Sequence, residues 1–237
     1  MTVTERRRQI LLELTTHGGL SIRELSALVF SSPASVRRDV IALEEEGLVR
    51  RVFGGVLLAG AENAVVPLSV RDGEHSAQKE RLAKEAAALV CDGDTVFLDA
   101  SSTVRRMVRH LKGCKGLTII TNNDRIFAEL DGVDARVLCT GGEYLRDNHA
   151  FAGPAAETFV RGVWADKLFF SSQGVSGDGE ISDHSETETA LRRAMLERSR
   201  EHYCLMDDSK IGRRCRFRLC GPDEVTRFLC EKKLPWK

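Results

Sequence analysis

Between residues 95 and 206 five short apolar runs recur with helix-compatible sequence between them, and that recurrence leaves few folds open. The runs are Thr95–Leu98, Leu117–Ile120, Ala135–Cys139, Lys167–Phe170 and Tyr203–Met206. Stretches suited to helices separate them at Val104–Leu111, Arg125–Leu130, Glu157–Val163 and Glu186–Ser199, and an Ala-rich helical stretch, Lys79–Val90, precedes the first. Runs this short and this apolar suit strands buried on both faces, and strands alternating with helices imply an α/β domain with a mostly parallel sheet. With 42% hydrophobic and 30% charged residues the chain has the composition of a globular protein rather than a disordered one. No stretch approaches the ~18 consecutive apolar residues that a membrane span requires.

The first 60 residues follow a different period. Thr4 is expected to cap a helix carrying Ile10, Leu11 and Leu14, ended by Gly18 and Gly19. Ser21-Ile22-Arg23-Glu24 is a capping box that opens a short second helix with Leu25 and Leu28 on its inner face. Ser32 followed by Pro33 opens a third, whose apolar face is Val36, Val40 and Leu43 and which Gly47 stops. Leu48–Val52 and Val56–Ala59 flank Phe53-Gly54-Gly55 and read as a β-hairpin. This layout is that of a helix-turn-helix whose last helix enters the major groove of double-stranded DNA by its first residues. Ser32, Ser35, Arg37 and Arg38 lie near that helix start, and Arg50 and Arg51 on the hairpin would meet the flanking backbone. On periodicity alone a three-helix protein-interaction module stays open. The expected organisation is residues 1–60 as the DNA-binding domain, 61–77 as a linker, and 78–237 as the α/β domain.

In a parallel sheet ligands bind outside the carboxyl ends of the strands. Asp99-Ala100-Ser101-Ser102-Thr103 follows the first strand, Thr121-Asn122-Asn123 the second and Thr140-Gly141-Gly142 the third. Gly174 lies just past the fourth strand, and Asp207-Asp208-Ser209-Lys210 ends the fifth. Each is ordinary turn chemistry by itself, but five at one edge form a candidate site: glycines admit close approach, hydroxyls and Asn bond sugar hydroxyls, and Lys210 supplies a charge for an anion. The site residues expected are Asp99, Ser101, Ser102, Thr103, Thr121, Asn122, Gly141, Gly142, Gly174, Asp207 and Lys210.

Charge is balanced, 35 basic against 35 acidic residues, but its kind is uneven: residues 1–60 hold eight arginines, and the first lysine is Lys79. Arginine's planar fork suits phosphates and guanine edges. Seven cysteines, an odd number, form no C-x-x-C pair, and Cys91, Cys139 and Cys204 sit in or beside apolar runs. Cys215 and Cys220 are separated by four residues with no His near either, so no metal or other cofactor is expected. The Arg-bearing N-terminus has no apolar segment behind it, and the chain is expected in the cytoplasm.

Ser35-Val36-Arg37-Arg38-Asp39-Val40, then Leu43-Glu44, Gly47, Arg50-Arg51 and Gly54-Gly55, closely resemble the N-terminal signature of the DeoR family of bacterial transcriptional regulators, where typical members read T-I-R-R-D-L, L-E, G, R and H-G-G. The strand-end clusters resemble the same family's effector domain, which is similar in fold to ribose-5-phosphate isomerase. Its D-x-G-T-T is met by Asp99, Ser102 and Thr103, with Ser101 in place of the glycine. Its T-N is met by Thr121 and Asn122, its G-G by Gly141 and Gly142, its S-F-x-G by Phe151 and Gly153, and its D-x-S-K by Asp207, Ser209 and Lys210. The resemblance implies a winged helix-turn-helix with the arginines on operator DNA and Asp39 helping to hold them. It also implies a phosphorylated sugar or related metabolite as effector. A repressor of sugar-metabolism genes is therefore expected, and because one winged helix covers a short site, a homodimer or homotetramer on paired half-sites. The alternative is a sugar-phosphate isomerase-like enzyme with an accessory DNA-binding domain. Against it, Ser171-Ser172-Gln173-Gly174 puts no acid behind the fourth strand to serve as the base.

Overall fold

The structure is a computed structural model that describes residues 2–52, 55–59, 68–73, 75–232, 234 and 236. The chain divides into two compact units, Met1–Ser76 and Ala77–Lys237.

In the first unit, α1 (Val3–His17) begins at Thr2 rather than Thr4. The Thr2 hydroxyl accepts from the Glu5 amide while the Glu5 carboxylate accepts from the Thr2 amide, a reciprocal cap that places Thr4 inside the first turn. Gly18 ends the helix, and the two residues after it form β1 (Gly19–Leu20), a strand too short to show a period. The Ser21–Glu24 capping box opens α2 (Ile22–Leu28), and Ser32 with Pro33 opens α3 (Pro33–Glu45). Phe30, in the turn between them, is 95% exposed and has a φ of +48°. The hairpin is β2 (Val49–Val52) and β3 (Gly55–Leu58), with β3 central between β1 and β2. Ile10, Leu14, Leu25, Val36, Val40, Leu43, Val49 and Val56 are buried together as one core.

Two expectations for this unit are corrected. Asp39 does not hold the arginines of its own helix: its buried carboxylate accepts from Nε of Arg6 and of Arg7, and so ties α1 to α3. The stretch 61–77, expected to be a linker, carries α4 (Leu68–Gly73), because Leu68 is apolar enough to bury fully and the helix packs on β1 and β3. Residues 61–67 and Glu74 of that stretch, and Phe53 and Gly54 of the hairpin, lie outside the described residues.

The second unit opens within α5 (Ser76–Ala87), whose first residue closes the first unit, and continues with β4 (Thr95–Leu98), α6 (Ser102–Arg105), β5 (Leu117–Thr121) and β6 (Ala135–Cys139). A hairpin of β7 (Glu143–Leu145) and β8 (Ala150–Ala152) follows, then α7 (Pro154–Arg161), β9 (Ala165–Phe170), β10 (Gly174–Val175) and β11 (Ile181–Asp183). The unit finishes with α8 (Glu186–Glu197), β12 (Ser199–Leu205), β13 (Phe217–Cys220) and β14 (Arg227–Leu229). Six of the strands form one sheet in the order β14-β12-β9-β4-β5-β6, every neighbouring pair parallel. The five expected strands are among them. Successive residues of β4 alternate between faces: Phe97 packs with α7, α8 and the small sheet of β10, β11 and β13, whereas Val96 and Leu98 pack with α5 and the segment around Met107. Both faces of β4 are therefore buried, which is why it reads as a short apolar run, whereas β6 at the edge of the sheet has no fully buried residue.

The expected helix Val104–Leu111 is split into α6 and a 3₁₀ turn at Val108–His110, and Arg125–Leu130 is a 3₁₀ segment, Asp124–Glu129. Backbone bonds from Arg106 to Thr103 and from Met107 to Val104 tighten the first of these. Apolar residues three and four apart bury equally well on either kind of helix, so the pattern does not separate them. Cys204 is buried, but Cys91, expected beside an apolar run, is exposed in the turn before β4. No helix among the described residues is long and apolar enough to cross a membrane.

Asp39→Ala should weaken the N-terminal unit by about 1.5–3 kcal/mol, the range for hydrogen bonds to a charged group. Urea unfolding of the full chain, followed by a probe in residues 1–52, measures it.

Candidate functional site

On the DNA-facing candidate surface, Ser32 caps α3 by accepting from the Ser35 amide at 3.3 Å. The two hydroxyls lie 3.0 Å apart, and Arg38 reaches back to donate to the Ser35 Oγ at 3.4 Å. Arg37 and Arg38 are exposed, on the side of α3 away from Val36, Val40 and Leu43. Arg50 is exposed on β2. Arg51 beside it is engaged by Glu44 of α3, whose carboxylate accepts from the Arg51 amide at 2.7 Å and from its Nε. Those bonds, the backbone one first, hold the Glu44 carboxyl below the usual carboxylate range. All six expected residues thus lie on α3, at its N-cap or on the strand β2 beside it.

The second candidate site is at the carboxyl edge of the large sheet. The chain lays β5 and β6 on one side of β4, then returns to place β9, β12 and β14 on the other, so the strand order switches between β4 and β9. Such a switch opens a crevice at the strand ends. The Asp99 amide donates to the Phe169 carbonyl across it. Both Asp99 carboxylate oxygens carry bonds from inside the chain: Oδ1 accepts from the Ser101 amide at 3.0 Å, and Oδ2 from the Ser171 amide at 3.3 Å and Arg192 Nε at 2.9 Å. Arg192, buried on α8, also donates to Asp183 at 2.8 Å and lies 3.7 Å from Glu188. Burial opposes its charge, but the Asp183, Asp99 and Glu188 carboxylates outweigh that and hold its pKa above the usual range for arginine. Asp99 therefore fixes the loop after β4.

Ser101 caps α6 by accepting from the Val104 amide at 3.1 Å, while Ser102 and Thr103 follow it, both buried. Thr121 accepts from the Asn123 amide, and Asn122 donates through Nδ2 to the Phe151 carbonyl at 3.0 Å. Among the described residues Asn122 Oδ1 and Asn123 Nδ2, both buried, have no hydrogen-bond partner, and each such group costs roughly 1–3 kcal/mol while unsatisfied. Lys210 donates to Gln173 Oε1 at 3.0 Å, which brings the end of β12 over the end of β9. Asp207 turns inward to accept from the Ser209 amide at 3.1 Å.

The expected glycines divide. A Cβ on Gly142 would stand 2.4 Å from the Ala152 carbonyl, and one on Gly174 would stand 2.8 Å from the Arg213 carbonyl, so both make room for this chain's own backbone. A Cβ on Gly141 would meet nothing within 4 Å. The edge also includes residues outside the expected site set: Ser171 and Ser172, buried at the end of β9, and Gln173, noted in the sequence only as lacking an acid; Asn123, noted only as part of a strand-end cluster; and Arg192. Ser171-Ser172-Gln173 directly follows an apolar run and was findable by the same rule as the others. Arg192 was not, because its partner Asp99 lies 93 residues away in sequence.

The geometry describes a helix-turn-helix and a parallel-sheet unit with polar residues gathered at the strand ends of its switch point. Residues 6–61 match the DeoR-like helix-turn-helix domain and residues 74–232 the DeoR C-terminal sensor domain. The chain belongs to the DeoR family, whose members are transcriptional regulators and not enzymes. It is 32% identical over 209 residues to the HTH-type transcriptional regulator GolR of Listeria innocua, covering 88% of this chain and 82% of that protein. It is 28% identical to the putative aga operon transcriptional repressor of Escherichia coli O157:H7, covering 98% and 87%, and 30% identical to the lactose phosphotransferase system repressor of Lactococcus lactis, covering 90% and 85%. Among solved structures it is similar to a ribose 5-phosphate isomerase from Methanocaldococcus jannaschii, with a TM-score of 0.41 and 16% identity over 58% of this chain and 55% of that one.

Arg192→Leu should destabilise the protein by about 3–5 kcal/mol, because it leaves Asp99, Asp183 and Glu188 buried without their shared cation. Guanidinium unfolding of the variant against the parent chain checks this.

Proposed function

We propose that this chain is a cytoplasmic repressor of sugar-metabolism genes whose sensor unit takes a phosphorylated sugar in the crevice between β4 and β9. The observation that carries the reading is the set of groups at that edge. Hydroxyls of Ser102, Thr103 and Thr121, the amides of Asn122 and Asn123 with two buried polar atoms that have no partner among the described residues, and Lys210 all belong to strand ends of one sheet. Neutral donors and acceptors suit sugar hydroxyls, and Lys210 suits the phosphate. Ser101, Gly141 and Asp207 frame the same edge, with Asp99, Gly142 and Gly174 shaping its backbone. Two of the relatives are named as repressors of an aga operon and of a lactose phosphotransferase system, which supports sugar-linked control.

On the DNA side, this reading assigns base edges to Ser32, Ser35 and Arg38 at the start of α3 and backbone contact to Arg37, Arg50 and Arg51. A homodimer or homotetramer would pair such units on two half-sites. We infer also that residues 78–237 act as a domain separable from residues 1–60. The effector changes operator affinity by preferring one arrangement of the assembly, typically by about 1–3 kcal/mol.

Thermal-shift screening of the full chain against sugar phosphates and their unphosphorylated analogues tests the sensor half. A true effector at about 100 times its dissociation constant should stabilise the fold by roughly 2.7 kcal/mol. Lys210→Ala should reduce affinity for the phosphorylated ligand at least tenfold more than for its analogue, about 1.4 kcal/mol. Equal losses for the two in calorimetry would remove the phosphate role of Lys210.

A further inference from the structure

We propose that a notch in the winged helix-turn-helix, built around Arg23, is a docking site for one sugar–phosphate unit of the DNA backbone. The notch has a volume of about 450 Å³ and brings together one arginine from each of three elements: Arg23 of α2, Arg37 of α3 and Arg51 of β2. Its floor is apolar, formed by Ile22, Val40 and Val52 among others. Arg23 lies outside the arginine pair that marks the third helix and was not among the residues expected to touch DNA.

Charge identifies the occupant. Among the described residues neither Arg23 nor Arg37 has an ion-pair partner. Arg51 has one, Glu44, which engages its amide and Nε and leaves the two terminal nitrogens available. Three cations around one cavity with a single acid at its margin repel one another, and an anion seated between them relieves that repulsion. A guanidinium matches a phosphate through paired donors, and an apolar floor beneath a cationic rim accommodates the carbon face of a deoxyribose.

Position identifies the anion as backbone phosphate. Successive residues on a helix are ~100° apart, so Arg37 points to the flank of α3 while Arg38, bonded to Ser35, stays beside the helix start. The inference rests on the assignment of α3 to the major groove, and there the flank of the helix faces the wall of the groove, where the phosphates run. The two adjacent arginines then divide the work: Arg38 reads bases, while Arg37 joins Arg23 and Arg51 in setting how the helix is seated. The notch contributes affinity on any sequence and no discrimination between sequences.

The test uses the full chain, a duplex recovered by in vitro selection with it, and a scrambled duplex of equal length, titrated over a range of salt. Arg23→Ala should weaken binding to both duplexes by the same factor, about three- to fivefold near 0.15 M salt. It should also lower the slope of log K against log salt by about 0.9 for each protomer bound, and Arg23→Lys should keep most of that slope. Arg38→Ala serves as the reference, expected to weaken the selected duplex more than the scrambled one. An unchanged slope for Arg23→Ala, alongside that selective loss for Arg38→Ala, would overturn the notch and leave the groove assignment standing. A loss for Arg23→Ala confined to the selected duplex would overturn it as well, since that is the mark of a base contact. If neither variant changed binding to either duplex, the groove assignment and the notch would fall together.

Discussion

One buried guanidinium organises the sensor unit. Arg192 reaches from α8 to Asp99 at the end of β4, to Asp183 at the end of β11 and to Glu188 one turn earlier on its own helix. Taking charges out of water is costly, and such a group often adds little net stability compared with an apolar substitute of the same shape. What it does here is geometric. Through Asp99 it fixes the loop that presents Ser101, Ser102 and Thr103, and the same carboxylate holds the Ser171 amide at the end of β9. The ends of β4 and β9 are thereby held against each other by one carboxylate, and α8 is locked over them.

The N-terminal unit uses the same device on a smaller scale. Asp39 sits in the middle of α3 where its neighbours Val36, Val40 and Leu43 are apolar, and it is matched by Arg6 and Arg7 from α1. Those two arginines are thus structural, whereas Arg23, Arg37 and Arg50 are left facing outward. Arg6 and Arg7 are paired so as to brace this small unit, Arg51 is paired to Glu44 through Nε alone of its guanidinium, and among the described residues Arg23 and Arg37 have no ion-pair partner, a distinction that composition alone does not make.

How much of this was legible in the sequence follows the range over which each feature is determined. Thr95–Leu98 was read to the residue because a strand buried on both faces is bounded where its apolar run stops, whereas Ala135–Cys139, an edge strand with no fully buried residue, is bounded by the turn residues Asp131-Gly132 and Gly141-Gly142 on either side. The Ser21–Glu24 and Ser32–Pro33 helix starts were equally plain, since capping acts within one turn. Elements of two or three residues, β1 and β14, carry no period and are defined only by the strand they pair with, β3 and β12 respectively. The partners of Asp39 and Asp99 lie on other helices, so their polar character was visible and their purpose was not. Gly142 and Gly174 were noticed as glycines at strand ends, but the collisions that require them come from the backbone at Ala152 and Arg213.

The central position of β4 in the sheet governs the order in which the chain can fold during synthesis. Its Val96 and Leu98 pair on one side with β5, soon after, and on the other with Lys167 and Phe169 of β9, so the middle of the sheet stays half-formed until that later segment emerges. Asp99 waits longer still, because its cation is 93 residues downstream, and β14 completes the edge only near the end of the chain. Long-range parallel pairing of this kind is slow, since loop closure precedes any reward. The N-terminal unit has no such wait, as its core lies within Ile10–Leu58. On the ribosome it should therefore be folded, with its arginines displayed, while the sensor sheet is still an open edge.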